Sequence, residues 1–239
     1  MDLERYNRNI LVPQVGENGQ EKLNSAKVLI AGAGGLGSTV IANLSALGIG
    51  NLGIVDNDVL ELSNLNRQYI HKYENIGKIK VESAKEWIKA FNPEINVEVF
   101  QTRLDNENFK DIIKNYDLII DCFDSYKSKF LLNKISIDSG KTLIHGGVSE
   151  FYGQVTTIVP KKTACLECIL PDYEESAYSI KGVLSPAVTT IASIQSMEAC
   201  KIILGIDSSL ENKLLTYNGL KMEFKKINIE KNLHCRLCS

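Results

Sequence analysis

With 239 residues, 44% of them hydrophobic, the chain is long enough to bury a full core, as one large α/β domain or two small ones. A net charge of −2 removes the case for nucleic acid or an anionic membrane as partner. No apolar run reaches the roughly 18 residues that span a bilayer, and the charged opening MDLERYNRN does not read as a signal peptide.

Residues 1–26 form a polar, partly helical arm carrying Arg5, Tyr6 and Arg8; from periodicity alone, RYNR is a solvated helix end. The organising stretch follows, Lys27 to Asp58. Val28 to Ala31 is apolar and β-branched, as a buried parallel strand should be. GAGGLG comes next, with Gly32, Gly34 and Gly37 at the G-x-G-x-x-G positions and Gly35 as an extra glycine. From Gly37 the apolar residues Val40, Ile41, Leu44 and Leu47 recur at helical steps, Gly48 and Gly50 stop the helix, and Leu52 to Val55 reads as a second strand ending in Asp56. Such a βαβ unit lets the backbone approach a phosphate at a helix N-terminus, with the acidic residue about 20 positions on to hold ribose hydroxyls. The glycines alone also fit plain tight turns.

Ser63 to Gln68, SNLNRQ, is a loop beyond a strand's carboxyl end, where open α/β sheets bind ligands. A helix over IGKIKVESAKEWIKAF carries an apolar stripe (Ile79, Ala84, Trp87, Ile88, Phe91) and ends at Asn92-Pro93. Lys80 near its start is slightly costly against the helix dipole unless it has a negative partner. Ile95–Phe100 alternates as a strand, Phe109–Lys114 is helical, and Asp117–Asp124 reads as a buried strand placing Asp121 and Asp124 at the nucleotide edge. Then come a helix over about Lys127–Ser139, the strand TLIHGGVS with His145 packed rather than catalytic, the strand FYGQVTTIVP closed by Pro160, and an apolar helix over Ala187–Leu204 carrying Gln195, Glu198 and Lys201. The alternation to about Ser149 predicts a Rossmann-like, doubly wound parallel sheet; the later strands, with KLLTYNG and LKMEFKKINI, predict antiparallel additions. No repeat or low-complexity linker divides the chain. The expectation is one domain over 1–239: an arm at 1–26, a nucleotide-binding part at 27–149, and a further part at 150–239, which the cysteines and the resemblance below make the zinc and carrier-binding part.

Six cysteines without a secretory signal suggest a reducing compartment and a cytoplasmic location. Cys165-Leu-Glu-Cys168 and Cys235-Arg-Leu-Cys238 are two C-x-x-C knuckles, together the four-thiolate set of a structural zinc site. Structural zinc contributes roughly 10–16 kcal/mol of apparent binding free energy, so its loss is expected to cost the fold. Cys122 and Cys200 sit in apolar contexts and read as core residues.

RYNR, GQEKL, VLIAGAGGLGS, IVDNDVLELSNLNRQ, GKIK, NP, DCFD, GQV, CLEC, GV-SP and CRLC occur in an order and spacing that resembles the ThiF/MoeB/HesA family, from about Arg5 to Cys238. The resemblance implies adenylyltransferases related to ubiquitin-activating enzymes. These use ATP and Mg²⁺ to adenylate the C-terminal Gly-Gly carboxylate of a small ubiquitin-like sulfur carrier. It further implies that Gly35 and its neighbours line the nucleotide, that Asp56 holds the ribose, and that Asn64, Arg67 and Lys80 bind the triphosphate. Asp58, Ser63 and Ser125 join that nucleotide set, Asp124 is the catalytic carboxylate that places Mg²⁺, and Arg8 reaches into the site of a second subunit in a homodimer. A carboxylate attacking a polyanion needs cations and alignment more than a general base.

Three departures from the family pattern stand out. Asp-Asn is Asp124-Ser125, the family arginine is Lys129, and the cysteine found in many relatives is Tyr178. With no sulfurtransferase segment after Cys238 in this sequence, an external sulfur donor is expected. Three other readings remain open at this point: a nicotinamide-dependent dehydrogenase, a non-catalytic carrier-docking scaffold, and adenylation of a ribosomal peptide's C-terminus.

Overall fold

In the computed structural model, residues 2–105, 107–171 and 182–239 are described. The amino-terminal arm holds two helices, α1 (Asn7–Ile10) and α2 (Gly16–Ser25). Strand β1 (Lys27–Ala31) is buried on both faces, and its residues divide by the period of two. Val28 and Ile30 enter one core, whereas Leu29 and Ala31 enter the other. An uninterrupted apolar run is therefore what this position demands.

The remaining elements in chain order are α3 (Gly35–Leu47), β2 (Asn51–Val55), α4 (Lys80–Phe91), β3 (Asn96–Phe100), α5 (Phe109–Ile113), β4 (Leu118–Asp121), α6 (Tyr126–Ser139), β5 (Thr142–Ser149), β6 (Tyr152–Ile158), α7 (Leu166–Ile169), α8 (Ser185–Leu204), β7 (Lys213–Asn218) and β8 (Glu223–Asn228). One eight-stranded sheet takes the order β3-β2-β1-β4-β5-β6-β7-β8. Strands β1 to β5 pair in parallel and β5 to β8 pair antiparallel, the mixed α/β sheet anticipated.

Several boundaries differ from expectation, and three bear on the site. Helix α4 begins at Lys80 rather than Ile76, after a 3-10 turn at Tyr73–Asn75. Helix α3 begins at Gly35, two residues before the apolar periodicity starts, because glycine at the first turn contributes no hydrophobic signal. Strand β4 stops at Asp121 rather than running to Asp124. Cys122 still donates to the Ala31 carbonyl at 2.9 Å, and then the Asp121 carboxylate accepts the Phe123 N–H at 3.1 Å and turns the chain out of the sheet.

Contrary to the expectation of no apolar run long enough to span a bilayer, helix α8 is long and apolar enough by length and composition, with a mean hydropathy of 1.2. Its residues Ala187, Val188, Ile191, Ala192 and Ala199 belong instead to the larger core, beside Val40 and Ile41 of α3 and Val155 of β6.

Candidate active site

The strand order reverses between β1 and β4, and the crevice outside their carboxyl ends is where such sheets take ligands. Gly32 follows β1 with φ +108°, and a Cβ there would come within 2.8 Å of the Cys122 carbonyl oxygen; no L side chain suits this position. Gly37 serves packing instead. A Cβ on it would lie 2.0 Å from the Gly32 oxygen, so it seats α3 against the loop, and it is not among the cavity-lining residues. Gly34 and Gly35 open α3 towards the crevice, whose first-turn N–H groups have no carbonyl within the helix to meet.

Asp56, at the end of β2, organises this loop. One carboxylate oxygen accepts the Ala33 N–H at 2.7 Å and the other the Asp58 N–H at 2.8 Å. Lys80, the first residue of α4, is buried and reaches Asp58 at 2.9 Å, which supplies the negative partner its place near the positive helix end requires. The segment from Leu62 forms a single 3-10 turn: the Asn64 side chain accepts the Glu61 N–H at 3.1 Å, and Ser63 donates to Glu61 at 3.3 Å. Arg67 lays its aliphatic stem over Gly35 and donates to the Ser63 carbonyl at 3.1 Å and the Asn66 side chain at 2.7 Å.

Asp124 is exposed on the turn after β4, lines the cavity, and has no hydrogen-bond or ionic partner among the described residues. Ser125 caps α6, its hydroxyl oxygen accepting the Ser128 N–H at 3.2 Å. A single cavity of about 1160 Å³ thus gathers Gly32, Gly34, Gly35, Asp56 and Asp58 with Ser63, Asn64, Arg67, Lys80, Asp124 and Ser125. Arg8 is not brought to it; it stands exposed on α1.

Asp121 corrects the expectation of a second carboxylate facing the nucleotide. It is fully buried, does not line the cavity, and meets Lys129 at 3.3 Å and His145 Nδ1 at 2.7 Å. Burial opposes its charge, but the Lys129 ammonium and the His145 hydrogen bond outweigh that and hold its carboxyl below the usual range. Lys129 donates to the Gly146 carbonyl at 2.6 Å as well, so its charge is spent inside the fold. His145 is packed, as expected. Burial lowers its pKa, and with Nδ1–H donated to Asp121 its Nε2 accepts from Gln154 at 3.3 Å.

Sequence reasoning also passed over His71. Its Nε2–H donates to the Ala33 carbonyl at 3.2 Å and its Nδ1 meets the Ser83 hydroxyl at 2.9 Å, which ties the glycine loop to α4 and Lys80. Burial lowers its pKa too. Its place three residues after Gln68 was the only available signal.

Beyond β5 the cavity continues over one polar face of the antiparallel strands. Gly147, Gln154, Thr216 and Lys225 stand in register across β5 to β8 and all line it. Outside the cavity lining, the four knuckle cysteines converge beside the smaller core. Their sulfurs lie within 4.8 Å of one another, with Cys165–Cys235 at 3.7 Å and Cys168–Cys238 at 3.5 Å. Tetrahedral zinc with Zn–S bonds near 2.3 Å requires sulfurs about 3.8 Å apart, so the donor set and its size fit that ion. Tyr178 lies outside the described residues.

A glycine loop, basic side chains and a carboxylate lining one cavity at the switch point of a doubly wound sheet define a Rossmann-type nucleotide-binding protein. The ThiF family matches residues 6–237, and the chain belongs to it. It is 36% identical over 240 residues to the SAMP-activating enzyme E1 of Haloferax volcanii, covering 99% of this chain and 88% of that one. To the sulfur carrier protein adenylyltransferase of Thermus thermophilus it is 35% identical over 246 residues, with 99% and 91% covered. Among solved structures, E. coli MccB with ATP superposes with a TM-score of 0.88 at 25% identity, covering 98% of this chain and 74% of that one.

Proposed function

We propose that this protein uses ATP to adenylate the C-terminal carboxylate of a small ubiquitin-like sulfur carrier, forming an acyl adenylate and releasing pyrophosphate. The observation that carries the reading is the cavity itself. At about 1160 Å³ it exceeds the usual 300–1000 Å³ of a single-ligand pocket, and its two halves differ in kind. One half has the glycine loop, Lys80 and Arg67, suited to a triphosphate. The other is the polar sheet face bearing Gln154, Thr216 and Lys225, suited to an extended peptide tail ending near Asp124.

In that arrangement the tail carboxylate attacks the α-phosphorus. Arg67 and Lys80 offset the charge that builds there, Lys80 exchanging its exposed partner Asp58 for phosphate oxygens. Asp56 holds the ribose and Asn64 the phosphates, with Ser63 and Ser125 shaping the walls. Asp124, a cavity-lining carboxylate with no partner among the described residues, fits Mg²⁺, which when bound would neutralise phosphate charge. Arg8, outside the cavity of its own chain, acts in the site of a second subunit of a homodimer. Zinc at Cys165, Cys168, Cys235 and Cys238 is structural, since four sulfurs leave no open position.

Burial raises the thiols of Cys122 and Cys200, and the knuckle cysteines belong to the metal set, so no described cysteine suits acyl transfer. The adenylate therefore passes to an external sulfur donor. A carrier-docking scaffold loses its motive here, because Ser125 is a good helix cap and Lys129 a buried ion-pair partner rather than decayed catalytic groups. Carrier activation is preferred to the MccA-type substrate named for the MccB complexes, because the carrier-activating relatives are 35–36% identical against 25%.

The test is ATP–pyrophosphate exchange with a panel of ubiquitin-like proteins ending in Gly-Gly. Exchange that needs both the carrier and its terminal glycine supports the reading. ATP binding with no exchange for any carrier contradicts it.

A further inference from the structure

A chain of hydrogen bonds runs from the buried Asp121–Lys129 pair to the cavity wall, through His145 and Gln154. Its direction is forced. The Asp121 carboxylate, charged against Lys129 and accepting the Phe123 N–H, offers only lone pairs, so His145 Nδ1 carries the hydrogen of their 2.7 Å contact. Burial, the largest influence on the ring, keeps it neutral against the pull of Asp121. A neutral ring with its hydrogen on Nδ1 has an acceptor at Nε2, and that nitrogen lies 3.3 Å from Gln154 Nε2. Gln154 therefore donates inward, and its Oε1 is turned away from the ring.

The strands hold the amide in that pose. His145 pairs with Thr156 and Gly147 with Gln154, so His145 and Gln154 are diagonal neighbours on one face of β5 and β6. Gly147 leaves room for the side chain to lie across β5; a Cβ there would stand 3.3 Å from Gln154 Cγ. Gln154 is half-buried and lines the cavity. Its Oε1 has no partner among the described residues and is not one of their sealed, unpaired atoms. What faces the cavity is thus a bare acceptor, which repels carboxylate and phosphate oxygens and suits an N–H. The adenine of ATP is out of reach. Asp56, assigned to the ribose, stands at the end of β2, four strand steps from β6, or roughly 19 Å at about 4.8 Å per step.

We propose that Gln154 selects the substrate tail by accepting one of its main-chain N–H groups, with His145 and Asp121 as positioning residues that fix the polarity of the amide. This deepens the proposed function and rests on it. A Gly-Gly tail has no side-chain groups to recognise, so its peptide N–H groups are what such an acceptor can read.

The experiment uses carriers in which each terminal residue in turn is replaced by its hydroxy-acid analogue. One peptide N–H then becomes an ester oxygen while the terminal carboxylate stays. Pyrophosphate exchange gives kcat/KM for wild type, Gln154→Met and His145→Leu, with melting temperatures measured alongside. In wild type, one ester position is expected to lower kcat/KM about ten- to a hundredfold, the loss of a hydrogen bond that leaves its acceptor unpaired. Gln154→Met is expected to lose a similar factor with the amide tail and to treat ester and amide nearly alike. His145→Leu frees the amide to turn and is expected to shrink the same discrimination, whereas a merely structural histidine would move the melting temperature and leave the ratio intact. Should His145→Leu fail to fold, Gln154→Met decides alone. Wild type that exchanges with no carrier overturns the proposed function and this inference with it. Exchange indifferent to every ester overturns the inference alone, as does undiminished discrimination in Gln154→Met. Full discrimination in a folded His145→Leu overturns the positioning role.

Discussion

Lys80 meets Asp58 at 2.9 Å on the rim of the crevice, and Lys129, which lines its floor, meets the buried Asp121 at 3.3 Å. The chemistry of the two pairs is the same, but the surroundings are not. Asp58 is 59% exposed, so the rim pair is worth about 0–1 kcal/mol and can be exchanged for another anion. Asp121 and Lys129 are almost wholly out of water, with His145, the Phe123 N–H and the Gly146 carbonyl completing their bonds. Such a pair adds little net stability by existing and a great deal of instability by being broken. The rim is built to give up its partner; the floor is built to keep it, and so to hold the turn that carries Asp124.

Breaking the floor should have the largest effect. Lys129→Met leaves the Asp121 charge buried without its ammonium partner and is expected to cost about 3–5 kcal/mol by chemical denaturation. A loss below about 1 kcal/mol would place the pair with surface pairs and erase the distinction.

On the rim, Asp124→Ala is expected to slow pyrophosphate exchange about 10²–10³-fold without moving the melting temperature, since the side chain has no partner among the described residues. Exchange within about tenfold of wild type would remove Asp124 from the chemistry.

The arm sharpens the comparison across subunits. Arg8→Ala and Lys80→Ala proteins should each be inactive alone, and mixing them should restore roughly a quarter of the wild-type sites through hybrids. A fully active monomer would contradict a role for Arg8 in a partner's site.

Acidification gives the smallest effect. His71 and His145 have folded pKa values lowered by burial, so below about pH 6.5 the unfolded chain binds protons that the folded chain does not. Stability should therefore fall as pH drops from there, by at most about 1.4 kcal/mol per pH unit for each histidine. Asp121, whose pKa is also lowered, adds a further loss at more acid pH, below the ordinary carboxylate value. Melting temperatures that stay flat between about pH 7 and pH 5 would show that the histidines are not buried neutral.

How much was legible beforehand follows the same division. The β1–α3–β2 unit, Asp56, the SNLNRQ loop and the knuckles announce themselves because glycine, helical periodicity and C-x-x-C spacing are local signals. Asp121 was misplaced because an alternating apolar strand ending in two carboxylates does not say which one the sheet buries. That depends on Lys129 and His145, which come from α6 and β5. His71 was passed over for a related reason. Its meaning lies in a contact with Ala33, more than 30 residues away in sequence.

The central claim is that the carrier's terminal carboxylate oxygen forms the new bond to the α-phosphorus of ATP. A carrier whose C-terminal carboxylate carries a heavy-oxygen label, incubated with the enzyme, ATP, Mg²⁺ and hydroxylamine to intercept the acyl group, tests this by mass spectrometry of the AMP released. The account predicts one labelled oxygen in AMP for each carrier consumed. Unlabelled AMP, with the label kept entirely on the carrier, would contradict it.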